Sequence, residues 1–202
     1  MISSKSARVT IVLAALAASA QSLSAQAAAS AAPPQTTEPL AVGAMAPEFS
    51  LAGATRFGVL DQPVNLSDFK GKTVVVAFFP RARTRGCTIQ MRAYRDQFPE
   101  LFKDGQNVVL IGMSVDPVAE LASWAKDEQF PFLFASDVDG KTAEAFGARR
   151  ATGNTNRNLF VIDPDGRVSF RALPFREVDP VAYEELTTEI GKVWSEPAVT
   201  GN

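Results

Sequence analysis

The chain has 202 residues, of which 46% are hydrophobic and 21% charged, which suits one soluble globular domain rather than a disordered chain. Its formal net charge of -2 offers no basic patch to attract nucleic acid. It contains no histidine, which excludes Ser-His-Asp and Cys-His hydrolases for want of their base, and excludes histidine-ligated zinc, copper and iron sites.

The N-terminal stretch "MISSKSARVTIVLAALAASAQSLSAQA" has a basic start at Lys5 and Arg8, then an apolar run from Val9 to Ala18. Small residues Ala25 and Ala27 frame a cleavage point, so residues 1–27 read as a signal peptide. The apolar run is too short to span a bilayer as a stable helix, so no stable membrane anchor is expected. An exported protein, periplasmic after cleavage, is the expectation. Residues 28–41 are small, polar and Pro-rich and read as a flexible leader. The folded domain is expected over 42–196.

"TVVVAFF" (73–79) is a continuous β-branched and aromatic run, which predicts a strand buried on both faces. Pro80 ends it. "CTIQMRAYRDQFPELFKDG" (87–105) predicts a helix, with Tyr94, Phe98, Leu101 and Phe102 on one face and a break at Pro99. "NVVLIGMSV" (107–115) predicts a second buried strand. Asp116-Pro117 then predicts a capped helix running to about Glu128, with Val118, Leu121 and Ala125 inward. "FPFLFASD" (130–137) predicts a third strand and "GKTAEAFG" (140–147) a short helix. "NLFVID" and "RVSF" flank Pro-Asp-Gly, a hairpin signal. Asp179-Pro180 predicts the cap of a last helix carrying Leu186, Ile190 and Val193. This order predicts an α/β domain with a central mixed sheet flanked by helices.

Cys87 is the chain's one cysteine, so no internal disulfide and no CxxC dithiol can form. No GxGxxG or P-loop pattern occurs, and no cofactor or metal is expected. The cysteine lies where a buried strand gives way to a helix, the place in α/β sheets where ligands and reactive groups collect. In the first helical turn, free N–H groups and the positive end of the dipole favour a thiolate. Arg81, Arg83 and Arg85 crowd the same loop and add positive potential. Cys87 can be a nucleophile, or buried inert packing, since free cysteine is among the most buried residue types.

"PRARTRGC" fits Pro-x-x-x-Thr-x-x-Cys at Pro80, Thr84 and Cys87. This resembles the active-site loop of the peroxiredoxins, in the alkyl hydroperoxide reductase/thiol-specific antioxidant group. "AVGAMAPEFSL", "VNLSDFKGKTVVVAFFP", "VVLIGMSVD", "FPFLFASDVDGKTAEAFGA" and "RNLFVIDPDGRV" resemble the family's other segments in the same order, over roughly Val42 to Arg171. The "GCT" after the threonine resembles the bacterioferritin-comigratory (PrxQ-like) branch. The resemblance implies a thioredoxin-like fold and a thiol-dependent peroxidase acting on hydrogen peroxide or small organic hydroperoxides. It implies Cys87 as the peroxidatic cysteine, Thr84 as the residue that holds the peroxide in line, and Pro80 as a shield against water. Arg157 would occupy the family's arginine position.

Two departures bear on mechanism. Many relatives in that branch carry a resolving cysteine five residues after the first, and here that position is Arg92. Recycling is therefore expected from an external thiol: a thioredoxin-like or glutaredoxin-like protein, or a low-molecular-weight thiol. Arg85 stands where the branch commonly has proline, which bears on the stiffness of the loop. A monomer or homodimer is expected. The competing reading is an exported thioredoxin-fold module that senses redox state or binds a partner without fast turnover; a sensor would keep the same four residues.

Overall fold

The computed structural model describes residues 38–195. The expected signal peptide and most of the expected leader lie outside these residues. The part of the leader that is described, residues 38–41, packs against the domain. The Arg171 guanidinium donates to the carbonyls of Pro39 (2.9 Å) and Leu40 (2.7 Å), and Leu40 packs on the core. The described residues thus include a few before the expected boundary at Val42, where half-buried Leu40 and two carbonyls find partners.

Three short strands come first: β1 (Ser50–Thr55), β2 (Gly58–Val59) and β3 (Val64–Asn65). β1 pairs antiparallel with both of the others. None of the three was expected from sequence, since "SLAGATRFGVL" is short and interrupted by glycine and charge. β4 (Thr73–Phe78) then fills the middle of the sheet. All six of its residues are buried, and alternate side chains enter two apolar clusters. Val74, Val76 and Phe78 join one, while Val75, Ala77 and the following Phe79 join the other. That is the period-two pattern of a strand covered on both faces, and each buried Val or Phe contributes about 1.5–3 kcal/mol.

The remaining elements are α1 (Arg85–Asp96), α2 (Phe98–Phe102), β5 (Val108–Ser114), α3 (Val118–Glu128), β6 (Leu133–Ser136), α4 (Lys141–Ala145), β7 (Leu159–Ile162), β8 (Val168–Ala172) and α5 (Pro180–Val193). The sheet order is β2-β1-β6-β5-β4-β7-β8. β4, β5 and β6 run parallel, while β1, β7 and β8 pair antiparallel, so the sheet is mixed as expected. Buried residues of α1, α2, α3 and α5 share one cluster, and Ala143 of α4 belongs to the other, so helices cover both faces.

Three local expectations need correction. The helical break falls at Gln97 rather than Pro99, because proline is tolerated in the first turn of α2, where its missing N–H is no loss. The third strand begins at Leu133, not Phe130. Phe130 and Phe132 stack on each other, and Phe130 meets Trp124 of α3 edge-on, with centroids 5.1 Å apart. Asp116 does not cap α3, whose first turn has no side-chain cap. Its carboxylate is engaged elsewhere, as described below. Asp179 does cap α5, accepting from the Val181 N–H at 3.0 Å.

Candidate active site

The parallel strands β4 and β5 end side by side, and the Phe79 N–H donates to the Met113 carbonyl at 3.0 Å. Half-buried Pro80 follows, supplies no N–H and ends the strand. The loop from Arg81 to Thr84 is then pinned twice. The Ala82 N–H donates to the Asp116 carboxylate at 2.7 Å, and Asp116 also accepts from the Ser114 hydroxyl at 2.9 Å. Arg83 takes a left-handed backbone (φ 62°) and spreads its guanidinium over α3. It reaches Glu120 at 2.7 Å, Ser123 at 2.9 Å and Asp127 at 2.7 Å. The hydrogen bond to Asp127 is the main cause of a raised Arg83 pKa. Arg83 is thus spent on α3. Arg81 is largely exposed and lies 3.8 Å from Asp116. The expected field of three loop arginines is therefore mostly neutralised or solvated.

Thr84 holds the N-cap position with extended backbone (φ -75°, ψ 153°), and its carbonyl accepts the Thr88 N–H at 2.8 Å. Its side chain is exposed and does not cap α1; the hydroxyl donates to the Arg81 carbonyl at 2.9 Å. Cys87 is the third residue of α1 and is fully buried. It thus lies in the first turn of α1.

Arg157 comes from the segment before β7. Thr155 donates to the Phe79 carbonyl at 2.6 Å, and the Phe78 N–H donates to the Asn158 carbonyl at 2.8 Å. The Phe175 N–H donates to the Arg157 carbonyl at 2.7 Å. These bonds tie the backbone of Arg157 to the end of β4, and its side chain reaches α1. Nη1 lies 3.7 Å from the Cys87 sulfur and donates to the Gln90 side-chain carbonyl at 2.6 Å. Nε lies 3.3 Å from the Glu177 carboxylate. Gly86 makes room for this: a Cβ there would stand 2.8 Å from Glu177 Oε1 and 2.9 Å from Arg157 Nη2.

Gln90 is fully buried and donates its amide N–H to the Tyr94 hydroxyl at 2.8 Å. Burial raises the Tyr94 pKa far above the ordinary phenol, so the group stays neutral. Tyr183 donates to the Glu177 carbonyl at 2.7 Å, and burial pushes its pKa up to about 12. The structure therefore brings Cys87 and Arg157 together and sets Pro80 and Thr84 on the loop that leads into the cysteine. Gln90, Glu177 and Asp116 were not singled out from sequence as parts of a site. Gln90 had a signal, since it lies three residues after Cys87 on the same helical side.

Over residues 42–171 the chain matches the family model described as "AhpC/TSA family". The chain belongs to the AhpC/TSA family. It is 38% identical over 137 residues to "Peroxiredoxin Bcp" of Escherichia coli K12, a match covering 64% of this chain and 83% of that one. It is 38% identical over 109 residues to "Peroxiredoxin Q, chloroplastic" of Sedum lineare, covering 53% and 58%. Among solved structures, "Peroxidoxin BcpB" from Mycobacterium tuberculosis superposes with a TM-score of 0.66 at 28% identity, covering 76% of this chain and 98% of that one. In this AhpC/TSA chain, position 92 is an arginine whose fork grips Glu128 of α3 through two bonds of 2.7 Å. The same bond holds the Glu128 carboxyl below its ordinary pKa.

Proposed function

We propose that the protein is a thiol-dependent peroxidase that reduces hydrogen peroxide and small organic hydroperoxides through Cys87, with an external thiol completing the cycle. The observation that carries this reading is Arg157 Nη1, 3.7 Å from a cysteine sulfur in the first turn of α1. The reaction moves negative charge from sulfur to oxygen. The Cys87 thiolate attacks one peroxide oxygen, the O–O bond breaks, and the departing oxygen takes the electron pair and a proton as water or alcohol. Cys87 is left as sulfenic acid. Fixed donors along that path lower the barrier because they need no reorganisation when the charge moves. Arg157 is held by Gln90 and Glu177, and so is set to serve first the thiolate and then the leaving oxygen. Thr84 holds the peroxide in line and Pro80 keeps water off the sulfur.

Recycling follows from composition. With one cysteine in the chain, the sulfenic acid condenses with an outside thiol, releasing water and forming a mixed disulfide. A second thiol then attacks that disulfide, restoring Cys87 and leaving the reductant oxidised. The reductant is a thioredoxin-like or glutaredoxin-like protein, or a low-molecular-weight thiol. The N-terminal signal pattern supports export and a periplasmic site of action, as a monomer or homodimer.

The test is stopped-flow mixing of the reduced protein with a small excess of hydrogen peroxide, followed by tryptophan fluorescence. Trp124 is a fitting reporter, because its ring lies 5.6 Å from that of Phe79, where the strand meets the active-site loop. Trapping of sulfenic acid at Cys87, with a rate orders of magnitude above free cysteine and lost in Cys87→Ser, is the expected result. A rate equal to free cysteine would refute the reading.

A further inference from the structure

Glu177 stands in the connector between β8 and α5, and that connector is held at both ends. The Phe175 N–H donates to the Arg157 carbonyl at 2.7 Å, and the buried Phe175 ring meets Tyr183 of α5 edge-on, with centroids 5.1 Å apart. The Tyr183 hydroxyl donates to the Glu177 carbonyl at 2.7 Å, and Asp179 caps α5. Arg176, the neighbour in the chain, turns to Asp179 at 2.9 Å, which leaves Arg157 as the ion-pair partner of Glu177. The side chains of Arg157 and Glu177 are only 14% and 24% exposed, so salt and water screen this pair less than the open pairs of Arg83 with α3. The Arg157 guanidinium is thus held at two separate nitrogens. Gln90 accepts from Nη1 at 2.6 Å, and the Glu177 carboxylate lies 3.3 Å from Nε. A planar group held at two points keeps one orientation, and this one leaves Nη1 3.7 Å from the Cys87 sulfur. The carboxylate also lies against the residue next to Cys87, since a Cβ on Gly86 would stand 2.8 Å from Glu177 Oε1. It therefore brings a negative charge close to the place where the reaction needs a thiolate, and like charges oppose each other.

We infer that Glu177 is a positioning residue that aims Arg157 at the Cys87 sulfur, and that its charge offsets part of the guanidinium's charge at that sulfur. The inference rests on the peroxidase reading and adds to it a residue and a charge bias. The aim speeds the reaction, while the offset slows it and disfavours anionic reagents. Shape and charge of one side chain thus act in opposite directions, and substitutions can separate them.

The test uses the full chain, reduced. Glu177→Gln keeps the shape and a carbonyl oxygen facing Nε but removes the charge. Glu177→Leu removes charge and acceptor together. Each variant is read by its single-turnover rate with hydrogen peroxide. Each is also read by the ratio of Cys87 alkylation rates with iodoacetate and iodoacetamide, an anionic and a neutral reagent of similar size. At roughly 8 Å, in surroundings between bulk water and a protein surface, one charge changes that ratio about fivefold at low salt. Both variants should raise the ratio by about that factor, and roughly 0.5 M salt should shrink the rise. With hydrogen peroxide the two should diverge. Glu177→Gln should react about twofold faster than wild type, and Glu177→Leu about fivefold slower, because its guanidinium is charged but no longer aimed. Should Glu177→Leu fail to fold, Glu177→Asp replaces it: one methylene short but still charged, it should slow the peroxide reaction at an unchanged alkylation ratio. Equal peroxide rates in the amide and leucine variants, or an unchanged ratio in Glu177→Gln, would overturn the inference, while normal wild-type reactivity left the peroxidase reading standing. A raised ratio in a chain that no form of which reacts with hydrogen peroxide would overturn the peroxidase reading and leave the pairing of Glu177 with Arg157 supported.

Discussion

Replacing Gln90 with leucine separates the positioning of Arg157 from its mere presence. Gln90 is fully buried and links two groups: its carbonyl accepts from Arg157 at 2.6 Å, and its amide donates to Tyr94 at 2.8 Å. A hydrogen bond to a charged partner contributes about 1.5–3 kcal/mol, and a neutral one about 1 kcal/mol. Leucine keeps the volume and removes both, so Gln90→Leu should cost about 3 kcal/mol of stability. At about 2–4 °C per kcal/mol for a domain of this size, the melting temperature should fall by about 6–12 °C. The kinetic effect is separate. Removing a fixed transition-state donor costs roughly 10²–10³ in rate, and here the donor is only loosened, since Glu177 still holds its Nε. A loss of roughly 10–100-fold in the stopped-flow reaction with hydrogen peroxide is expected. Gln90→Glu is the control. Its carboxylate accepts from Arg157, and the neutral Tyr94 hydroxyl can turn to donate, so the melting temperature should return close to wild type. The added anion beside the sulfur should keep the rate between those of Gln90→Leu and wild type. A Gln90→Leu protein that melts lower yet reacts at the wild-type rate would refute the claim that Gln90 orients Arg157.

Other substitutions probe the same frame. Gly86→Ala should raise helix stability by about 0.5–1 kcal/mol yet slow the peroxide reaction about tenfold, because the new methyl displaces Glu177 and Arg157. Thermal melts beside stopped flow would show the opposite signs, and a wild-type rate would contradict the close approach. Asp116→Ala strips the Ala82 N–H of its acceptor, which should cost about 2 kcal/mol and expose Cys87 to faster alkylation by iodoacetamide. Unchanged alkylation would mean that Asp116 does not hold the loop. For pH, Glu128 has a folded pKa below its ordinary 4.5, chiefly through the hydrogen bond from Arg92. Its stabilisation is therefore complete above about 4.5 and is lost as pH falls through the lower folded value. Urea midpoints of Glu128→Gln should fall less steeply with acid below that point than those of wild type.

The sheet was legible wherever burial on both faces left a continuous apolar run, as in 73–79 and 107–115. It was not legible in β1, β2 and β3, which are short, glycine-interrupted and held by pairing partners distant in sequence. Asp116-Pro117 was read as a cap because local pattern favours one. A buried N–H on a loop 34 residues earlier claimed that carboxylate instead. Cys87 was singled out by its position after a strand and Arg157 through family register, and the structure sets the two 3.7 Å apart. Glu177 offered no local signal, since it meets Arg157 only because β7, β8 and the segment before α5 bring it back over α1. Arg83 misled in the other direction: its charge is plain in the sequence, but its direction is set by three partners on α3.

Cys87 is entirely shielded from solvent, in a chain where it is the lone cysteine. An outside sulfur cannot touch it while α1 keeps its first turn. On the reading proposed above, any reagent that reaches the sulfur from solvent, peroxide or thiol, needs the loop to part from Asp116 and Arg83 first. The rate of that parting would then be a ceiling common to both halves of the cycle.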